Sequence, residues 1–106
     1  MKRVLVNLID NAVEAMNGQG IIDIRTSYDA VVDKVRFEVG DTGPGVPERD
    51  KNMLFLPYFS TKGSGSGLGL AICSRIITDH EGSIRVTDHG VCGALFIVEL
   101  SPVTAV

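Results

Sequence analysis

Cysteine is scarce. The 106-residue chain has two, Cys73 and Cys92, too few for a disulfide scaffold and without the spacing of a metal site. Both stand among apolar neighbours, Cys73 after Leu70-Ala71-Ile72 and Cys92 after Val91. They are therefore expected to be reduced core residues that act as small hydrophobes. Long apolar runs are also missing: none approaches the roughly 20 residues of a membrane span, and the N-terminus has no signal-peptide core. Positive charge is short as well. Ten Lys and Arg against thirteen Asp and Glu leave a net charge of −3, with the basic residues scattered. That excludes a duplex-binding footprint, so no nucleic acid partner is expected. What remains, 44% hydrophobic and 22% charged, is the composition of one ordinary globular domain, neither disordered nor collagen-like. A soluble, intracellular protein is expected, cytoplasmic in location.

Glycine is the unusual component. Of twelve glycines, seven fall between positions 40 and 69: Gly40, Gly43, Gly45, Gly63, Gly65, Gly67 and Gly69. Glycine costs conformational entropy on folding, so such a concentration does not serve stability. It points to backbone that takes positive φ or comes close to a ligand.

Apolar spacing predicts a helix over residues 2–16, with Leu5, Leu8, Ala12, Ala15 and Met16 on one stripe and Asn17-Gly18 and Gly20 as its stop. Strands follow at 21–28 and 34–39, linked as a hairpin through 29–33. From Gly40 to Ser66 periodicity disappears, apart from a helical turn opening at Pro47-Glu48-Arg49-Asp50 and the apolar run Met53-Leu54-Phe55-Leu56. So long an irregular stretch in a small domain marks a binding loop or lid. A second helix spans 68–80, ended by Gly82, and strands at 83–87 and 94–100 meet at a turn near Asp88-His89-Gly90. There are no internal repeats, and residues 102–106 form a tail. Helix, hairpin, loop, helix, hairpin make an α/β (α+β) two-layer sandwich, largely antiparallel, with helices on one face.

Three groups of residues in this frame could carry chemistry. Gly63-Ser64-Gly65-Ser66-Gly67-Leu68-Gly69-Leu70 runs into a helix N-terminus, where free N–H groups and the positive dipole end could cradle phosphate. It lacks the Gly-Lys-Ser/Thr of a P-loop and does not follow a strand, and a simple hinge would look similar. Asp41-Thr42-Gly43-Pro44-Gly45 follows a strand. A carboxylate fixed there could accept a hydrogen bond from an exocyclic amine and repel a carbonyl, though Asp also starts ordinary turns. Asn7 and Asn11, one turn apart on one helix face, offer neutral amide oxygens to a Mg²⁺ already carrying phosphate charge, or are merely solvated. Lys62 could neutralise a terminal phosphate.

Their order is more telling than any one of them. Asn7-Leu8-Ile9-Asp10-Asn11-Ala12, Asp41-Thr42-Gly43-Pro44-Gly45, Phe55-Leu56-Pro57-Tyr58-Phe59-Ser60-Thr61-Lys62 and Gly65-Ser66-Gly67-Leu68-Gly69-Leu70 resemble the N, first glycine, F and second glycine boxes of sensor histidine kinases, the nitrogen-regulation type most of all. The resemblance runs from Arg3 to about Leu100 and implies an ATP-binding catalytic domain of the Bergerat, or GHKL, fold, with a mixed, mostly antiparallel sheet. It assigns residues 1–101 to that domain and residues 42–66 to its ATP lid. By it Asn11 would hold Mg²⁺ and Asn7 would support the phosphate end. Asp41 would read the adenine amine, with Gly43 and Gly45 letting backbone approach the base. Gly65, Gly67, Leu68, Gly69 and Leu70 would hold the phosphates, Phe55, Tyr58 and Phe59 would anchor the lid, and Thr61 and Lys62 would line the nucleotide, Lys62 contacting phosphate.

The superfamily's hydrolases place a glutamate four residues before the magnesium asparagine, as general base. Asn7 holds that place here and cannot take a proton, which fits a kinase whose histidine acceptor lies on a separate dimerisation domain of the same protein. His80 and His89 do not look like that acceptor. The resemblance thus implies Mg-ATP-dependent phosphotransfer in two-component signalling, with a response regulator downstream and a parent protein that is soluble or membrane-anchored. A GHKL-type ATPase, an anti-sigma-type serine kinase and a non-catalytic nucleotide module are the alternatives. Gly93-Ala94-Leu95-Phe96 departs from the family's Gly-Thr-x-Phe and loses a hydroxyl beside the base, and Ser60 replaces a common threonine. The family's domain starts ahead of Arg3, so an N-terminally truncated fragment with an exposed, self-associating sheet edge is expected.

Overall fold

The computed structural model describes residues 2–57, 59 and 68–101. Along the chain lie α1 (Lys2–Ala15), β1 (Ile22–Asp29), β2 (Lys34–Asp41), a 3-10 turn (Glu48–Asp50), α2 (Gly69–Asp79), β3 (Ser83–Asp88) and β4 (Ala94–Leu100). The strands form one sheet in the order β1-β2-β4-β3. Each pairing is antiparallel, so the sheet is wholly antiparallel among the described residues and not mixed.

Alternation decides what faces the helices. Ile22 and Ile24 of β1, Phe37 and Val39 of β2, Phe96 and Val98 of β4 and Ile84 and Val86 of β3 share one face. Against that face α1 lays Val4, Leu8 and Ala12, spaced four residues apart and buried, and α2 lays Cys73 and Ile77. Burying a side chain the size of Leu8 or Ile77 stabilises by roughly 1.5–3 kcal/mol. This shared layer is the core. The central strands carry it: β4 is buried along most of its length, while edge strand β1 is largely exposed.

Both helices end by the same device. Gly18 N–H reaches Val13 O at 3.0 Å, and Gly82 N–H reaches Ile77 O at 2.9 Å, so carbonyls left over at each helix end are satisfied. At α1 the left-handed residues are Asn17 and Gly18. At α2 the left-handed residue is Glu81, and Gly82 is small for another reason: a Cβ there would stand 2.5 Å from Glu99 O and from Leu100 Cδ2.

Two expectations are corrected. Strand β2 continues past residue 39 to Asp41, because Gly40 and Asp41 still have partners in Asp23 and Ile22. Cys73 is buried as expected, but Cys92 is exposed. It sits in the β3–β4 turn beside Val91, itself fully exposed, so its apolar neighbours in sequence form no core around it.

Candidate nucleotide site

Asp41 ends β2 and is the one buried charged residue among those described, at 2% exposure. Its Oδ1 accepts two backbone bonds, from Gly43 N–H at 2.9 Å and from Ala94 N–H at 3.3 Å. The first closes a turn of the kind Asp commonly makes with the residue two ahead. The second ties β2 to the start of β4. No described group donates to Oδ2. It is an acceptor whose orientation is fixed by the two bonds to Oδ1.

Glycines build the space around it. Gly45 has φ +79°, and a Cβ there would lie 3.0 Å from Gly93 O. Gly43 is small because a Cβ would come within 3.1 Å of Asp41 Oδ1 and 3.2 Å of Ala15 O. Gly93, at φ +111°, has its Cβ position on the carbonyl of Asp41. Of the sequence-predicted glycines described here, Gly45 alone takes positive φ. Gly40 and Gly43 serve close approach, and Gly69 does neither.

The loop is also stitched to the end of α1. Thr42 Oγ1 accepts from Ile21 N–H at 3.1 Å and donates to Met16 Sδ at 3.4 Å. Any side chain at Gly20 would run into Met16 and Thr42. Downstream, Lys51 Nζ bonds Glu48 at 2.9 Å and Asp88 at 2.8 Å, tying the 3-10 turn to β3. Leu54 is buried, Phe55 meets Phe96 edge-on with centroids 6.2 Å apart, and Phe59 packs on the core. Phe55 and Phe59, two of the three aromatics expected to anchor a lid, thus pack against the core.

Asn7 and Asn11 lie one turn apart on α1, both half-buried. The Cys73 thiol of α2 donates to Val4 O at 3.8 Å, one turn before Asn7. Burial pushes that thiol's pKa up, while the Asn7 amide, the Arg3 charge and its own backbone pull it back. Helix α2 begins at Gly69 after Leu68, which offers no side-chain cap. Tyr58, Thr61, Lys62, Gly63, Gly65 and Gly67 lie outside the described residues. The sequence placed Thr42 and Gly93-Ala94 in its motifs, but not the bonds of Thr42 to Ile21 and Met16, the packing of Gly93 on Asp41 or the Ala94 N–H bond.

Residues 1–104 match the family described as histidine kinase-, DNA gyrase B-, and HSP90-like ATPases. The chain belongs to this family. Over 105 residues it is 39% identical to the sensor histidine kinase ZraS of Salmonella typhimurium, covering 99% of this chain and 22% of ZraS. It therefore corresponds to a minor part of that protein's length. Among solved structures it resembles the catalytic domain of histidine kinase ThkA in a nucleotide-free form, at TM-score 0.83 and 42% identity over 95% of this chain and 67% of that one. Full-length ShkA in complex with AMPPNP matches at TM-score 0.85 and 35% identity, over 97% of this chain and 21% of ShkA. As a member of the ATPase family, the chain has the GHKL fold and is of the kind found as sensor histidine kinase catalytic domains. No helix among the described residues is long and apolar enough to cross a membrane.

Proposed function

We propose that this ATPase-family domain binds Mg-ATP and presents the γ-phosphate to a histidine on a separate dimerisation domain of its parent kinase. One observation carries the reading: Asp41 is buried with Oδ1 held by two backbone N–H groups, which fixes the orientation of its other acceptor, Oδ2. That atom suits the exocyclic amine of adenine and repels the carbonyl that guanine has in its place. Gly43 and Gly45 leave room for the base. The backbone of Gly65, Gly67, Leu68, Gly69 and Leu70, with Lys62 and Thr61, holds the phosphates, and Phe55, Tyr58 and Phe59 anchor the lid. Similarity to ShkA, solved with an ATP analogue, supports this.

No cluster of three or more His, Cys, Asp or Glu that could hold a metal occurs among the described residues. The donor set instead fits a cation held largely by its substrate: Mg²⁺ takes one or two protein oxygens and fills the rest of its shell with phosphate and water. Asn11 would supply such an oxygen without adding an anion beside the phosphates. When bound, the ion neutralises charge on the transferring group. The chain's own part is to orient the nucleotide and keep water unactivated. Asn7, lying against Cys73, cannot accept a proton from water, so hydrolysis is slow and transfer waits for the histidine of the dimerisation domain. A response regulator takes the phosphoryl group onward; ThkA has been solved with its regulator TrrA. The domain works in the cytoplasm, whether or not the parent protein is membrane-anchored.

Calorimetric titration with Mg-ADP tests the reading. Wild type is expected to bind saturably. Asp41→Asn keeps an Oδ1 for the two N–H groups but turns a donor toward the base. The loss of one charge-assisted bond, about 1.5–3 kcal/mol, weakens binding by roughly 10- to 150-fold. Equal affinity in both proteins would refute the assignment of Asp41, and phosphate release by the chain alone would refute that of Asn7.

A further inference from the structure

The functional reading makes no use of His89 or Gly40, yet the two are fitted to each other. Gly40 lies on the sheet face away from the helices, between Asp23 of β1 and Leu95 of β4. A Cβ there would stand 2.8 Å from His89 Nε2, 2.9 Å from Cε1 and 3.0 Å from Cδ2. The imidazole therefore lies across the Gly40 backbone, in space that any other residue would fill. Its Nε2 is 3.3 Å from Asp23 Oδ2, on the strand beyond.

The backbone of the same turn holds the opposite side. His89 N–H donates to Gly93 O at 3.2 Å. Gly93 packs on the Asp41 carbonyl, its own carbonyl faces Gly45, and the next residue gives its N–H to Asp41 Oδ1. The end of β2 is thus gripped twice by residues 89–93, by a side chain at Gly40 and by backbone at Asp41. With 26% of its side chain exposed, His89 is mostly covered by this contact.

We propose that His89 is a positioning residue for the nucleotide site: its ring, laid across Gly40 and bonded to Asp23, fixes the β3–β4 turn so that Ala94 N–H stays on Asp41 Oδ1. The inference rests on the nucleotide reading of Asp41, and it names two residues, Gly40 and Asp23, through which His89 acts. The acceptor's orientation follows from the turn, and the turn's position follows from the ring.

The test uses His89→Ala, His89→Gln, Gly40→Ala and the double variant Gly40→Ala/His89→Ala. In each, the amide resonances of Gly43 and Ala94 are followed by NMR in the free protein, and ADP affinity is measured. His89→Ala is expected to move both amides and weaken ADP roughly 3- to 10-fold, the size of effect usual for coupled neighbours. His89→Gln keeps a donor for Asp23 and restores both signals. Gly40→Ala is disruptive beside the ring and far milder once the ring is removed. The proposal is overturned if His89→Ala leaves both amides in place, or if Gly40→Ala has the same effect with and without His89. If the amides respond but no variant, wild type included, binds ADP, the brace stands and the nucleotide reading falls.

Discussion

Replacing Gly93 by alanine perturbs the site and the fold together, and its neighbour Gly90 supplies an internal control. Both glycines belong to the β3–β4 turn and both have positive φ, +111° at Gly93 and +68° at Gly90. Alanine in left-handed backbone costs about 1–2 kcal/mol, and at Gly90 that is the whole penalty, because nothing lies within 4 Å of the added carbon. At Gly93 the methyl lands on the Asp41 carbonyl, a backbone atom that moves only if β2 moves. Forcing a methyl into filled space adds about 1–3 kcal/mol, for a total of about 2–5 kcal/mol. In a domain of this size each kcal/mol lowers Tm by about 4–8 °C. Thermal unfolding by circular dichroism should therefore place Gly93→Ala well below Gly90→Ala, by at least 4 °C. Equal losses for the two variants would show that the Asp41 carbonyl does not confine Gly93, and the close-approach argument would fail.

Two further outcomes follow from the core and its thiols. Leu8→Ala, at a site with no exposure, should cost about 2–5 kcal/mol in urea unfolding, whereas Val6→Ala on the exposed side of α1 should cost under about 1 kcal/mol. Under native conditions a thiol reagent should label Cys92 quickly and Cys73 only as the protein unfolds. Burial raises the Cys73 pKa, so the reactive thiolate is scarcer there at neutral pH; two thiols reacting at one rate would contradict that placement.

Most of the framework was legible because hydrophobic periodicity and turn chemistry agreed. The helix expected over 2–16 and the hairpin beginning at 21 match α1 and β1–β2 within two residues. Where the sequence misled, the missing information was tertiary. Nothing local says that β2 runs on past Val39 so that Gly40 and Asp41 stay in the ladder, or that Cys92 projects from a turn and not from the strand beside it. Glu81, not Gly82, takes the left-handed turn after α2, and Gly82 instead leaves room for β4. The site divides the same way. Asp41, Gly43 and Gly45 were readable as a motif, since they are neighbours in sequence. Ala94 was readable only for the hydroxyl it lacks, because what it supplies is a backbone N–H, which every residue but proline has.

The element order repeats one pattern: helix, edge strand, central strand, in α1–β1–β2 and again in α2–β3–β4. Each half closes its own hairpin through local contacts, and the halves meet where β2 pairs with β4 and where α1 packs on α2. Contacts of low sequence separation form fast, and those of high separation wait on the ordering of a long intervening loop. The Ala94 N–H bond to Asp41 spans 53 residues and crosses that seam. A chain with both hairpins formed but not yet docked therefore has every residue of the Asp41 corner and no corner. On the proposed reading of Asp41, nucleotide occupancy reports the last step of assembly, and a bound nucleotide acts as a clamp across the seam, slowing the parting of the two halves more than the fraying of either.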